Sequence, residues 1–252
     1  MYQFEVCANS VESCLAAQDG GAQRVELCAG IPEGGTTPSY GEVVAARELL
    51  RIKLHIIIRP RGGDFLYSEQ EIRVMERDIR MAVRTGVDGV VFGCLTPGGH
   101  IDIPVAERLI EAAQGLSVTF HRAFDVCADP YRALEELIAL GVGRILTSGR
   151  QPTALQGLPL LRELVRKAAN RIIILPGSGI NENNIRQIAE ESKAGEFHFS
   201  ARENRKSGMA YRRTQVSMGN PGMSGEYIRA VTTAERVRAT IHALGDYECP
   251  HS

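Results

Sequence analysis

Two short segments carry the most pointed chemistry in the chain: Phe4-Glu5-Val6-Cys7 and Val25-Glu26-Leu27-Cys28. Each alternates an apolar residue with a carboxylate or a thiol. Successive side chains of an extended strand point to opposite faces, so Glu5, Cys7, Glu26 and Cys28 share one face and Phe4, Val6, Val25 and Leu27 the other. On neighbouring strands, ~4.8 Å apart, the acids and thiols form a single cluster. Carboxylates among cationic groups suit general acid/base work.

The partners for such work lie at the ends of other short apolar runs. Arg59 and Arg61 flank Pro60, Thr119-Phe120 runs into His121 and Arg122 with Asp125 beyond, and Leu146-Thr147 runs into Ser148, Gly149 and Arg150. Leu175-Pro176 leads into Gly177, Ser178 and Gly179, and Phe197 into His198 and Ser200. His121 and His198 are candidates for proton transfer or metal ligation. The two glycines permit close backbone approach, and a helix capped near Asn181 would present free N–H groups, the arrangement that holds phosphate or carboxylate. A purely structural network of buried acids and guanidinium groups is the competing reading. An interior without function is filled at less desolvation cost by Val, Ile and Leu, which favours a site.

For these residues to meet, the chain must gather its strand ends at one place. Short β-branched runs alternate with amphipathic stretches along nearly the whole length, the pattern of parallel strands joined by helices. Eight strands are expected: Gln3–Ala8, Arg24–Cys28, Lys53–Arg59, Gly89–Cys94, Ser117–Arg122, Arg144–Ser148, Arg171–Pro176 and Glu196–Ser200. Ser10, Ser68 and Asn181 supply helix caps, and Gly20-Gly21, Gly86, Gly115, Gly141 and Gly195 supply stops. A dinucleotide-binding open sheet would place GxGxxG after the first strand, where this chain has Cys7-Ala8-Asn9-Ser10. The expected fold is therefore α/β, a single (β/α)8 TIM barrel with its mouth at the C-terminal ends of the strands, and 252 residues match the ~250 of such barrels.

Composition narrows the partners. A formal net charge of −1 offers no field for nucleic acid or an anionic membrane, so small ligands are expected. No N-terminal leader pattern or run of ~18 apolar residues appears, which places the chain in the cytoplasm with no membrane partner. Six cysteines spread without a CxxC pair fit reduced thiols in that compartment. Residues 201–232 break the rhythm and read as a long loop, a lid or a subunit contact, and Met209, Tyr211, Met218 and Met223 on it are compatible with a homodimer.

The stretches FEVCANSVESCLAAQDGGAQRVELCAGIPEGGTTPSYG, IIIRPRGGDFLYSEQE, VVFGCLTPGGHID, TFHRAFD, RILTSGR, PGSGIN and EFHFSARE resemble, in order and spacing, the CutC copper-homeostasis family. That resemblance implies a (β/α)8 barrel, a cytoplasmic protein of copper homeostasis and copper as its ligand. It implies copper-binding thiols at Cys7 and Cys28, with pocket residues Glu5, Glu26, Arg59, His121, Asp125, Ser148, Gly177, His198 and Ser200.

Two functions follow as expectations. One is copper binding by Cys7 and Cys28. The other is an enzyme on a small phosphorylated or carboxylated metabolite. In it Glu26 and His121 share acid/base work beside Glu5 and Asp125, and Arg59 and Arg61 neutralise charge. Arg122, Ser148, Gly149, Arg150, Gly177, Ser178, Gly179, His198 and Ser200 would contact the substrate.

Overall fold

The computed structural model describes residues 2–216 and 226–245. The expected strands form as β1 (Gln3–Ala8), β2 (Arg24–Leu27), β3 (Lys53–Ile57), β4 (Gly89–Phe92), β5 (Ser117–Phe120), β6 (Arg144–Thr147), β7 (Ile173–Pro176) and β8 (Glu196–Phe199). All paired neighbours are parallel, in the order β7-β6-β5-β4-β3-β2-β1-β8. The barrel closes with β7 beside β8 but without a regular ladder between them.

Helices α1 (Val11–Asp19), α2 (Tyr40–Leu49), α3 (Glu69–Thr85), α4 (Ile103–Ala112), α5 (Pro130–Ala139), α6 (Leu158–Ala168), α7 (Ile185–Ser192) and α8 (Ala234–His242) fill the connections. Local chemistry fixes their ends. Ser68 accepts the Glu71 N–H while Glu71 reaches back to the Ser68 N–H, and Gly86 at φ 72° ends the same helix in the left-handed region. Ser10 caps α1 by accepting the Ser13 N–H.

The strands divide the interior into two layers. Val6, Val25, Leu27, Leu54, Ile56, Val90, Phe92 and Phe120 are fully buried in the apolar shell between sheet and helices. Each such burial contributes roughly 1.5–3 kcal/mol. The alternate positions turn inward, and there Glu5, Arg24, Glu26, His55, Glu196 and His198 are all buried polar groups.

The segment 201–232, expected as one long loop, instead contains an antiparallel hairpin, β9 (Arg202–Lys206) with β10 (Ile228–Thr232). Arg-Glu-Asn-Arg-Lys carries no apolar alternation, so β9 is held by backbone pairing with β10 rather than by a buried face. Met209 and Tyr211 on its far side are exposed, while Met218 and Met223 lie outside the described residues.

Candidate functional site

Register assembles the centre. Cys7 stands opposite Glu26 across β1 and β2, and Glu5 stands opposite His198 across β1 and β8. These side chains point inward at the C-terminal half of the barrel, where strand ends form its mouth. Ligand atoms of Cys7, Glu26 and His198 all lie within 4.8 Å of one another. Cys28, just beyond β2, brings its sulfur to 3.2 Å from that of Cys7, and both are free thiols.

The electrostatics separate the two sulfurs. Cys7 is held well below the ordinary thiol range, first by the hydrogen bond from the Cys28 thiol and then, against the upward push of burial, by His198 and Arg202. Arg202 Nη2 lies 3.1 Å from the Cys7 sulfur. Cys28 is pushed up, since it donates to Cys7 and is itself buried. The shared hydrogen bond thus biases Cys7 toward the thiolate and Cys28 toward the thiol.

His198 is oriented by Glu5. Its Nδ1 lies 2.7 Å from Glu5 Oε1, which leaves Nε2 facing the centre, 3.7 Å from Glu26 Oε2. A carboxylate on one ring nitrogen with the other turned to the centre is the arrangement by which an outer carboxylate orients a metal-binding histidine. Burial disfavours the charged ring, but hydrogen bonds with Cys7 and Glu5 and the charges of Glu26 and Glu5 overcome it and raise His198 well above the ordinary value. Glu26 moves the opposite way from most carboxyls: burial, with Cys7 and Glu5 as like-charged neighbours, raises it to about 8.

The other inward histidines are shifted toward the neutral form. Burial, then Arg59, lowers His121 to about 3, while burial lowers His55 to about 4 against the pull of Glu5. A lowered histidine stays uncharged as pH falls until its own value is reached, whereas a raised one is already charged near neutrality. Histidine side-chain NMR in metal-free protein should therefore show His198 as imidazolium at pH 6.5 and the rings of His55 and His121 neutral. An His121 ring half-charged near pH 6.5 would contradict this.

The centre opens into a cavity of about 190 Å³ that also meets Arg59, Phe65 and His121. A second, wider one of about 380 Å³ passes Arg122, Ser178, Gly179, His198, Ser200 and Arg202. Cys7 and His198 stand where the two join.

The remaining expected residues are placed elsewhere. Arg61 pairs with Asp64 and Glu71 at 3.0 and 2.6 Å, bracing its own loop. Asp125 accepts from the backbone N–H groups of Ser148 and Arg150 and from the hydroxyls of Thr147 and Ser148, so this acid holds the β6 loop together. Ser148 is fully buried there, and its hydroxyl also meets Arg122 Nη2. Arg150 reaches back to the carbonyls of Asp125 and Cys127. A Cβ on Gly149 would collide with Gly157 O at 2.3 Å, so this glycine serves a close backbone crossing. Gly177 packs under Leu146 and His198, where a Cβ would meet Leu146 at 2.5 Å.

The helix after β7 starts later than its sequence suggests. Asn184, not Asn181, is the cap of α7, because the three asparagine-rich residues before it fold into a turn of their own. Asn181 N–H donates to Asn184 Oδ1 and Asn183 N–H to Asn181 Oδ1, so donors expected to face an anion are satisfied internally.

Four charged residues, Arg24, Arg144, Glu196 and Arg202, were not expected from the sequence. Glu5 was expected to be balanced by arginines at the strand ends. Its partner is Arg24, at 2.5 Å, which also meets Glu196 at 2.5 Å, and Arg144 joins Glu196 at 2.9 Å. Their signal was parity: Arg24 shares the inward face of Glu26, Arg144 that of Leu146 and Glu196 that of His198. Arg202, one residue into the hairpin, carried no such signal.

A family model described as the CutC family matches residues 2–203. A CutC family protein of Bacteroides thetaiotaomicron is 64% identical over 244 residues, 96% of this chain and 98% of that one. A human protein named copper homeostasis protein cutC homolog is 49% identical over 243 residues, 96% of this chain and 89% of that one. A solved CutC structure from Streptococcus agalactiae superimposes with a TM-score of 0.76 at 38% identity, covering 79% of this chain and 99% of that chain. With eight parallel strands, the inward Glu-x-Cys pairs and this likeness along nearly its whole length, the chain belongs to the CutC family.

Proposed function

We propose that the protein binds copper as Cu(I) at Cys7, with Cys28 and His198 completing a low-coordinate site and Glu26 at its edge. The observation that carries this reading is the meeting of a cysteine sulfur, an imidazole nitrogen and a carboxyl oxygen within 4.8 Å, beside a second cysteine sulfur. Soft sulfur with imidazole suits Cu(I), whereas Mg²⁺ or Ca²⁺ would call for oxygen ligands. The name of the human relative supports copper as cargo.

Copper must displace protons to enter. His198 gives up its Nε2 proton and Cys28 its thiol proton, so binding strengthens as pH rises. Arg202 and the imidazolium of His198 neutralise Cys7 in the empty protein and must yield when the cation arrives. That competition suits a site that takes up and releases copper rather than storing it. We place the protein in the cytoplasm, where thiols stay reduced; all five cysteines among the described residues are free. Among those residues no helix is long and apolar enough to cross a membrane.

X-ray absorption on anaerobically Cu(I)-loaded protein tests the ligand set. Sulfur together with imidazole nitrogen in the first shell is the expected spectrum. A shell of nitrogen and oxygen alone would reject the assignment.

A further inference from the structure

Arg59 and His121 are polar groups at the mouth that the metal centre does not use. Each is 5% exposed. The terminal nitrogens of Arg59 donate to the carbonyls of Glu33, Gly35 and Gly63 at 2.6 to 3.0 Å. Its Nε has no hydrogen-bond partner at ordinary distance, the guanidinium interacts with the neutral Tyr67 hydroxyl, and no ion pair among the described residues includes it. Carbonyl oxygens satisfy hydrogen-bond directions but leave the positive charge without a counter-charge.

The tautomer of His121 follows from its surroundings. Nδ1 accepts the Ala123 N–H at 3.2 Å, so the neutral ring carries its proton on Nε2. That Nε2–H is buried and has no acceptor. A Cβ on Gly93 would lie 2.5 Å from the ring, so backbone packed against it holds the imidazole in place. Phe65 bridges the two groups, its ring 5.0 Å from the Arg59 guanidinium carbon and 4.9 Å from the His121 ring centroid.

All three side chains line the 190 Å³ cavity, together with the apolar Ile57 and Leu146. A buried cation without a counter-charge and a buried N–H without an acceptor, side by side, define what is missing: an anion that accepts hydrogen bonds. Two nitrogens without a hydrogen-bond partner, Arg59 Nε and His121 Nε2, match the two coplanar oxygens of a carboxylate better than the several acceptors of a phosphate, and the apolar wall suits a hydrocarbon tail. At about 190 Å³ the cavity has room for a short-chain organic anion.

We propose that Arg59 and His121 form a binding site for a small organic carboxylate, one oxygen accepting the His121 Nε2–H and the charge facing the Arg59 guanidinium, with the hydrocarbon portion against Phe65, Ile57 and Leu146. The ligand lies beside the copper centre but needs no copper.

Isothermal titration calorimetry on chelator-treated, metal-free protein tests this with butyrate as probe and inorganic phosphate as comparison. The absence of copper from the cell separates this result from the copper assignment. Butyrate should bind saturably and phosphate at least about tenfold more weakly, in keeping with the mismatch of donors. His121→Asn retains an oxygen to accept the Ala123 N–H but removes the Nε2 donor, and should weaken butyrate binding about tenfold, the effect of losing one hydrogen bond to a charged group. Absence of saturable butyrate binding, tighter binding of phosphate, or unchanged affinity in a folded His121→Asn protein would each overturn the proposal. Should that variant fail to fold, NMR of the unaltered protein replaces it. The His121 Nε2–H resonance must move on addition of butyrate, and a stationary resonance overturns the site.

Discussion

Replacing Cys7 and Cys28 together by serine is expected to lower Cu(I) affinity by more than the ~100-fold that loss of an outer partner costs a metal site. Both sulfur donors vanish, and neither hydroxyl is a soft ligand. The single variants should differ. Cys7→Ser removes the sulfur that His198 and Arg202 hold as thiolate, whereas Cys28→Ser removes a thiol that must first lose its proton. Cys7→Ser should therefore be the weaker copper binder of the two. Anaerobic competition against a strong Cu(I) chelator measures all three, and unchanged affinity in the double variant would reject these sulfurs as ligands. Folding should survive, because Cys7 is only half-buried and one unsatisfied buried hydroxyl at Cys28 costs roughly 1–3 kcal/mol.

Cys7, Cys28 and Glu26 were legible in the sequence because strand alternation and adjacency are local facts, readable from the four-residue segments that contain them. His198 was legible as a strand-end histidine, but its use was not. Its contact with Glu5 spans 193 positions and depends on β8 closing beside β1. The loop of Asp125 and Ser148 shows the converse failure. Ser, Gly, Asp and Arg at a strand end look like ligand contacts by type, yet here they satisfy one another and the turning backbone. Residue type announces hydrogen-bonding capacity, while only the folded chain determines whether a partner inside the protein has already taken it. Arg59 and His121 are of interest for the opposite reason, since folding leaves part of their capacity unused.

Beneath the proposed copper site, the loss of one cation should be costly to the fold. Arg24, its side chain 4% exposed, bridges Glu5 and Glu196 with one donor to each. The register that pairs Glu5 with Arg24 and Gln3 with Glu196 fixes these groups in the barrel interior, and Arg144 holds only Glu196. Arg24→Met fills similar volume but leaves Glu5 as a fully enclosed carboxylate supported by histidines alone. Breaking a buried pair by removing one partner costs about 3–5 kcal/mol, and the midpoint of urea unfolding at pH 7 should fall accordingly. The pH dependence supplies the sign. Although burial pushes Glu5 upward, Arg24 and His198 hold it well below its ordinary 4.5, so its contribution to stability is present above that value and is lost as pH falls through its folded value. Without Arg24 the upward push of burial is far less opposed, and a carboxyl raised above 4.5 makes the folded state relatively better as acid protonates it. The stability gap between the unaltered protein and Arg24→Met should therefore narrow between pH 7 and pH 4. A gap of undiminished size at pH 4 would mean that lost packing around the arginine stem, rather than an abandoned carboxylate, accounts for the damage.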